Sequence, residues 1–429
     1  LSHAGAAVLR AWPLLLALLC ASPQGLAAGW PAIEEIRFAG NEVTRAETMR
    51  RELLIRPGDP ADPAQIERSR QAIQDLGLFR SVTARTLAAG RGVVVEFSVR
   101  EKWRVIPAPR IEGNDNGDYG YGGQLRWNNV WGLNHTVNVQ AMRRTYKDQD
   151  KTAETTAQLA YSIPFLGSTP YGLSGALSLD NRSALDPLGR PYRESMQNAQ
   201  LLGSYALSAE HPSTGWSVAG GLGWQRDAPS GEFAPGPISN ATGPMFSASY
   251  NELHYQIYSE QGQRWRWNTQ FAVDGLASTY SFWSSQVSYR GDWHLGTTPH
   301  QTLEFLANSG IYSGGAPGHA HDFYALGGQR SLRGYPSAFI EGDCGYYLAA
   351  AWLRPVFADW LRVLLIAEAG NSYADVHHLQ GPATYASVGL GLRLRVNWLI
   401  NLELELGAAM PLTGSRGLRP FAGTVDSGR

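Results

Sequence analysis

The spacing of apolar and polar positions divides the chain into two regimes. Over residues 31–101 the period changes several times. Ile33–Phe38 reads as a short strand closed by Gly40-Asn41. Thr44-Arg45-Ala46-Glu47 has the form of a capping box, opening a helix with Met49, Leu53 and Leu54 on one face that stops at Pro57-Gly58-Asp59. Asp62-Pro63 starts a second helix, whose apolar side is Ile66, Ile73 and Leu76 and whose left-handed cap is Gly77. Val82–Leu87 and Val93–Val99 then form a hairpin across Ala89-Gly90-Arg91-Gly92. The order is β-α-α-β-β around one small core.

From Trp103 onward, period-two alternation replaces helical spacing. Leu402, Leu404 and Leu406 alternate with Asn401, Glu403 and Glu405, and Leu390, Leu392, Leu394 and Val396 alternate with a parity that carries Arg393 and Arg395. In Leu361–Gly370 the polar parity holds Arg362, Glu368 and Gly370. About sixteen such segments begin near residues 103, 121, 135, 152, 171, 195, 216, 243, 263, 278, 300, 344, 361, 383, 400 and 417. Aromatic residues stand near segment ends (Trp127, Trp131, Tyr161, Trp224, Trp293, Trp352, Trp360, Trp398). A soluble sandwich also alternates, but segments this long with aromatic ends suit strands between lipid and a wet lumen. Such strands must close, because an open edge in hydrocarbon leaves amides unpaired. The expectation is a transmembrane β-barrel of about 16 antiparallel strands over residues 102–429, preceded by one small α+β domain over 31–101. An even count puts both barrel ends on the side of that domain.

The first residues change the picture by adding export. Arg10, the apolar run Ala11–Ala21 and the small residues Gly25, Ala27 and Ala28 are laid out as a secretory signal over residues 1–28. Leu19 before Cys20 argues against a lipoprotein signal, and the chain begins with Leu rather than Met. Charged residues are only 17% of the chain, aromatics 11%, and glycines number 48, a β-rich profile. Lys+Arg (36) balance Asp+Glu (37), which argues against a nucleic-acid partner. Mean hydropathy of −0.25 excludes a helical membrane bundle. Cys20 and Cys344 are the only cysteines, so no disulfide framework is expected. The paired histidines, His319/His321 and His377/His378, read as solvated loop residues, and no metal or cofactor is expected.

The small domain resembles a POTRA domain, the periplasmic module of outer-membrane assembly proteins. The matching pieces are Phe38-Ala39-Gly40-Asn41 with Thr44, Pro57-Gly58-Asp59, and Leu76-Gly77-Leu78-Phe79 followed by Val82. The longest connection, between Gly314 and Cys344, contains Gly327-Gly328-Gln329-Arg330-Ser331-Leu332-Arg333-Gly334-Tyr335. Here the chain resembles the BamA/TamA superfamily, whose sixth surface loop folds into the lumen with a Val-Arg-Gly-Phe/Tyr tip; Leu332 stands in the Val position. The resemblance implies that Arg333 pairs with an acidic residue on an inner strand, and Ile366-Ala367-Glu368-Ala369-Gly370 supplies Glu368 where Asp is usual. The parity of that segment separately turns Glu368 inward. A confined arginine is held best by a carboxylate, Gly334 allows a tight turn, and Tyr335 can pack its ring while bonding its hydroxyl. Arg393, Arg395, Glu403 and Glu405 read as a lumen charge ladder rather than a site. Two features depart from the family: there is one POTRA-like module, and Leu418–Arg429 lacks a final aromatic, which weakens the sixteenth strand.

The resemblance implies a bacterial outer-membrane barrel with its N-terminal domain in the periplasm. That domain would receive unfolded or extended client polypeptides by strand addition to a sheet edge. The barrel would insert or translocate the clients, with accessory assembly proteins as further partners. A passive pore is the alternative, and would not need a client-binding module. A barrel enzyme is the third reading; no Gly-x-Ser-x-Gly elbow is found to support it.

Overall fold

The computed structural model describes residues 29–113, 119–146, 153–186, 188–208, 213–316, 323–379, 384–400, 402–414 and 417–425. The expected signal with Cys20, the pair His319/His321 and the last four residues lie outside these.

The N-terminal module comprises β1 (Ile33–Ala39), α1 (Ala46–Arg50), α2 (Pro63–Asp75), β2 (Phe79–Ala89) and β3 (Gly92–Glu101). Its sheet order is β1-β3-β2, with β1 parallel to β3 and β2 antiparallel. The core is closed by Ile33, Met49, Ile73, Phe79, Val95 and Phe97, joined by Ile400 from a distant turn. Helix α2 begins as its sequence requires. The Asp62 carboxylate accepts the Ala64 N–H, Pro63 occupies the first helical position, and Gly77 follows at φ 73°.

Helix α1 corrects the expected capping box. It spans five residues, its cap is Arg45, and no side chain caps it. Thr44 is engaged elsewhere: its N–H donates to the Glu101 carboxylate at 2.6 Å, and its hydroxyl accepts from Asn129 at 2.8 Å. With the hydroxyl diverted, one turn forms and the chain unwinds well before Pro57.

Sixteen long strands and one two-residue strand follow: β4 (Val105–Gly113), β5 (Tyr119–Val130), β6 (His135–Thr145), β7 (Glu154–Ile163), β8 (Tyr171–Leu185), β9 (Pro191–Ala206), β10 (Gly215–Ser230), β11 (Ser239–Asn251), β12 (His254–Tyr255), β13 (Glu260–Ala272), β14 (Phe282–His294), β15 (Thr302–Gly314), β16 (Cys344–Val356), β17 (Ala358–Tyr373), β18 (Tyr385–Val396), β19 (Leu402–Pro411) and β20 (Arg419–Val425). They run antiparallel in chain order around a barrel that brings β20 beside β4. Among the described residues, residue-by-residue ladders run from β4 to β11, from β11 past the short β12 to β13, and on to β20. The expected segments and their number are borne out. The weak last segment does form a strand, but one of only seven residues.

Burial is inverted relative to a soluble protein. Leu159, Leu177, Leu201, Leu222, Leu390 and Leu406 are exposed on the outside, while Arg362, Arg393, Arg395, Glu403 and Glu405 are buried within. An apolar belt outside and ion pairs inside is the arrangement hydrocarbon demands of a spanning barrel. The described part of the long loop, residues 315–316 and 323–343, follows β15 at the end of the barrel opposite the module.

Candidate functional site: a latched lumen loop above a docked module

The loop returns into the lumen as a compact hairpin. Leu326 and Ile340 exchange backbone hydrogen bonds of 2.8 and 3.2 Å, and the Gly328 N–H donates to the Tyr335 carbonyl at 3.1 Å. Gly327 has φ 116°, and a Cβ there would fall 2.1 Å from the Pro336 carbonyl oxygen, so this corner tolerates no side chain. Gly328 continues it at φ 99°.

Leu332 is fully buried at φ 45°, a conformation that a β-branched valine would adopt at greater cost. It packs with Leu326 and Tyr335 against Tyr347, Leu364, Ile366, Ala409 and Phe421 of the barrel wall. The Tyr335 ring lies 4.7 Å from Phe339 and 5.7 Å from Tyr385, and its hydroxyl donates to the Ala386 carbonyl at 2.9 Å. Gly334 acts differently from the expected turn residue. Its φ is not positive, but a Cβ would meet the Pro411 nitrogen at 2.6 Å, so its role is close approach to the end of β19.

Between Leu332 and Gly334, Arg333 enters the polar interior. Its Nη1 lies 2.9 Å from Glu368 Oε1, and its backbone N–H donates to Glu368 Oε2 at 2.7 Å. Glu368 accepts two further bonds, from the Tyr347 hydroxyl at 2.6 Å and the Ser387 hydroxyl at 2.8 Å. Four donors on one carboxylate fix its direction and offset its desolvation. The Arg333 guanidinium also stands 5.2 Å from the Phe421 ring centre.

Glu405 is the partner that sequence reasoning assigned elsewhere. Its Oε2 accepts from Arg333 Nη2 at 3.0 Å, while its Oε1 accepts from Arg393 Nε at 2.7 Å. The alternation along β19 already turned Glu405 inward. What it lacked was the register that sets Glu405 opposite Arg393 and Glu403 opposite Arg395. Through Glu405 the loop joins a wider lattice: Arg393 reaches Glu304 at 2.6 Å, Arg395 reaches Glu260 at 3.2 Å, and Arg290 bridges Glu260 and Asp292 at 2.8 and 2.9 Å.

At the other end, the module is bonded to successive barrel turns. The Arg45 N–H and Thr48 hydroxyl both donate to the Gly132 carbonyl, at 3.0 and 2.8 Å. Ser213 donates to Glu52 at 2.8 Å, and burial raises the Glu52 carboxyl above its ordinary range. Asp75, at the end of α2, accepts from the Tyr255 N–H at 2.6 Å and pairs with His254 Nδ1 at 2.8 Å. Lys102 donates to the Tyr255 hydroxyl at 2.7 Å.

Comparison with known proteins agrees with both halves. A POTRA model, described as surface antigen variable number repeat, matches residues 31–102, and an Omp85 superfamily domain model matches residues 129–414. Outer membrane protein assembly factor BamA of Nitratidesulfovibrio vulgaris is 37% identical over 84 residues, covering 20% of this chain and only 10% of that relative's length. Among solved structures, BamA from Haemophilus ducreyi lacking POTRA domains 1–3 superposes with TM-score 0.52 at 15% identity, covering 92% of this chain and 85% of that one. CdiB from Acinetobacter baumannii superposes with TM-score 0.60 at 15% identity, covering 91% and 73%. At such identities these two establish likeness of fold. The superfamily model spans well over half of the sequence, and on that ground the chain belongs to the Omp85 superfamily.

Proposed function

We propose that this protein sits in the bacterial outer membrane and assembles or translocates client polypeptides there. Residues 31–101 act as the periplasmic receptor for unfolded or extended clients, and residues 102–429 as the insertase or conduit. Accessory assembly proteins are further partners, and neither a cofactor nor bond-making catalysis has a place in the reading.

The observation that carries it is the latch. A folded loop enters the lumen and is held there through one cation shared between Glu368 and Glu405. Arg333 supports a removable plug because its release leaves Glu405 still paired with Arg393, so departure strands one carboxylate rather than two. A passive pore gains nothing from a plug of this kind, nor from a folded module bonded across its periplasmic turns.

Depletion of the protein followed by proteomics of outer-membrane and secreted fractions tests the reading. A lost set of barrels identifies insertion, and a lost exported protein identifies secretion. Unchanged fractions with altered solute uptake would replace the proposal with a pore.

A further inference from the structure

The wall facing the latch is lined differently. The registers of β5 through β10 place Gln124 opposite Gln140, Gln140 opposite Gln158, Gln158 opposite Ser178, Ser178 opposite Asn198, and Asn198 opposite Gln225. Six neighbouring strands thus contribute one uncharged hydrogen-bonding side chain each to a single unbroken row. The residues flanking the row (Leu125, Val139, Leu159, Leu177, Leu179) are exposed on the outer face, so the row faces the lumen. A cavity of about 280 Å³ lies against its later part, Gln158, Ser178, Asn198 and Gln225, bounded also by Asn138, Gln200 and Gln270.

We propose that this row is a track for the backbone of an extended client polypeptide. The inference rests on the client-handling reading above and specifies where in the barrel the client runs. A primary amide repeats the chemistry of a peptide group, with donors and an acceptor on one planar unit. The row members are partly satisfied. Gln140 donates to Gln158 at 2.6 Å and accepts from Arg110 at 3.1 Å, Gln124 donates to Asn138 at 2.8 Å, Asn198 donates to Ser178 at 3.2 Å, and Gln225 donates to the Tyr280 hydroxyl. With two N–H groups and two lone pairs on every amide, each keeps some capacity.

The row also has a direction. Five strand spacings span about 24 Å, and strands tilted by about 40° make a row perpendicular to them climb roughly 15 Å, more than half of an apolar band about 25 Å tall. An extended chain of about seven residues would cover it. Uncharged amides do not select among client side chains, whereas the opposite lattice would retain charged ones. The row itself carries no aromatic ring, the surface on which a sugar would stack. Aromatic groups meet it only at the β10 end, where Trp224 borders the cavity and the Tyr280 hydroxyl bonds Gln225, so a polypeptide fits most of its length better than a glycan.

The test uses the full chain reconstituted in liposomes and a short neutral Gly-Ser-Asn peptide carrying one photoactivatable residue, with cross-links mapped by mass spectrometry. The expected cross-links fall on inward positions of β6–β9, including Gln140, Gln158 and Gln200. The triple variant Gln140→Ala, Gln158→Ala, Asn198→Ala should lower their yield by about tenfold while keeping heat-modifiable mobility. Gln158→Glu should shift capture toward a lysine-bearing version of the peptide, a change that a purely structural row would not produce. Unchanged yield in the triple variant overturns the track. Cross-links confined to residues 31–101 also overturn it while sparing the receptor. Protection by a maltodextrin equal to that by unlabelled peptide makes the row a sugar path. Absence of cross-links anywhere on the chain counts against the client reading itself.

Discussion

At the level of the amide row, the two walls of the lumen are built on opposite principles. From β13 to β19 the inner face carries charge in closely packed pairs, and the long loop is pinned to it through Arg333. From β5 to β10 the row at the same face is uncharged, the ion pairs of this wall (Arg144–Glu154 and Arg182–Glu194) standing further along the strands, and among the described residues no loop is latched to the row. Charge buried in a lattice is rigid, because each member left alone would be strongly penalised. Amides tolerate exchange of partners at little cost, because each bond contributes only about 1 kcal/mol net. One wall is therefore suited to holding something still, and the other to letting something slide.

The sharpest break is expected at Glu368. Glu368→Ala removes four accepted bonds at once and leaves the buried Arg333 guanidinium with Glu405 alone, and should cost about 3–5 kcal/mol. The readout is the midpoint of the heat-induced mobility shift. Arg333→Ala should give a smaller defect, since Glu368 retains Tyr347 and Ser387. The double variant should be no worse than Glu368→Ala, and full additivity would show that the two do not act as a unit.

Much of this contrast could be read along the chain, and the part that could not has a physical cause. Strand starts were legible because side chains alternate with period two and most turns are short, so Leu390–Val396 and Leu402–Leu406 declared both their faces. The inward turn of Glu368 followed from the same parity. Partnerships across strands were not legible, because a parity fixes a face but not a register; Glu405 therefore read as ladder alone, and the amide row stayed hidden although each of its residues was visible. The first helix failed for a different reason. Thr44 and Glu47 have the local chemistry of a capping box, but Asn129, far along the chain, claims the hydroxyl.

Next in size is the loop tip. Gly334→Ala pushes a methyl group against the Pro411 nitrogen and the Met410 carbonyl carbon, both closer than 3 Å, and overpacking of this kind costs about 1–3 kcal/mol. Limited proteolysis of the loop should report it, with wild-type resistance arguing that β19 yields instead. Glu405→Gln should be milder, because Arg333 keeps Glu368. A coupling with Arg333→Ala of about 1 kcal/mol is expected, and zero coupling would remove Glu405 from the latch.

A pH dependence distinguishes the docked module from the latch. Burial raises the Glu52 carboxyl, so the folded state favours its protonated form. Its contribution to docking is fully present below the ordinary carboxylate range and is lost as pH rises through the raised value. Protease protection of residues 31–101 should therefore weaken across that interval, and Glu52→Gln should flatten the profile. A profile unchanged by the substitution would assign the dependence to another group.

The smallest effect is expected where the proposed track lies, and its smallness is informative. Gln140→Ala with Gln158→Ala removes the 2.6 Å bond between two partly exposed amides and the 3.1 Å bond from Arg110 to Gln140, both between groups that water can satisfy. The barrel's melting midpoint should move by no more than about 0.5 kcal/mol in stability. The same change made by removing Glu304 and Arg393 together, a buried pair with further partners, should cost several times as much. If the amide pair proved as costly as the charged pair, the row would be a structural brace. The two walls would then differ in chemistry but not in purpose, and the idea that one holds while the other lets pass would lose its basis.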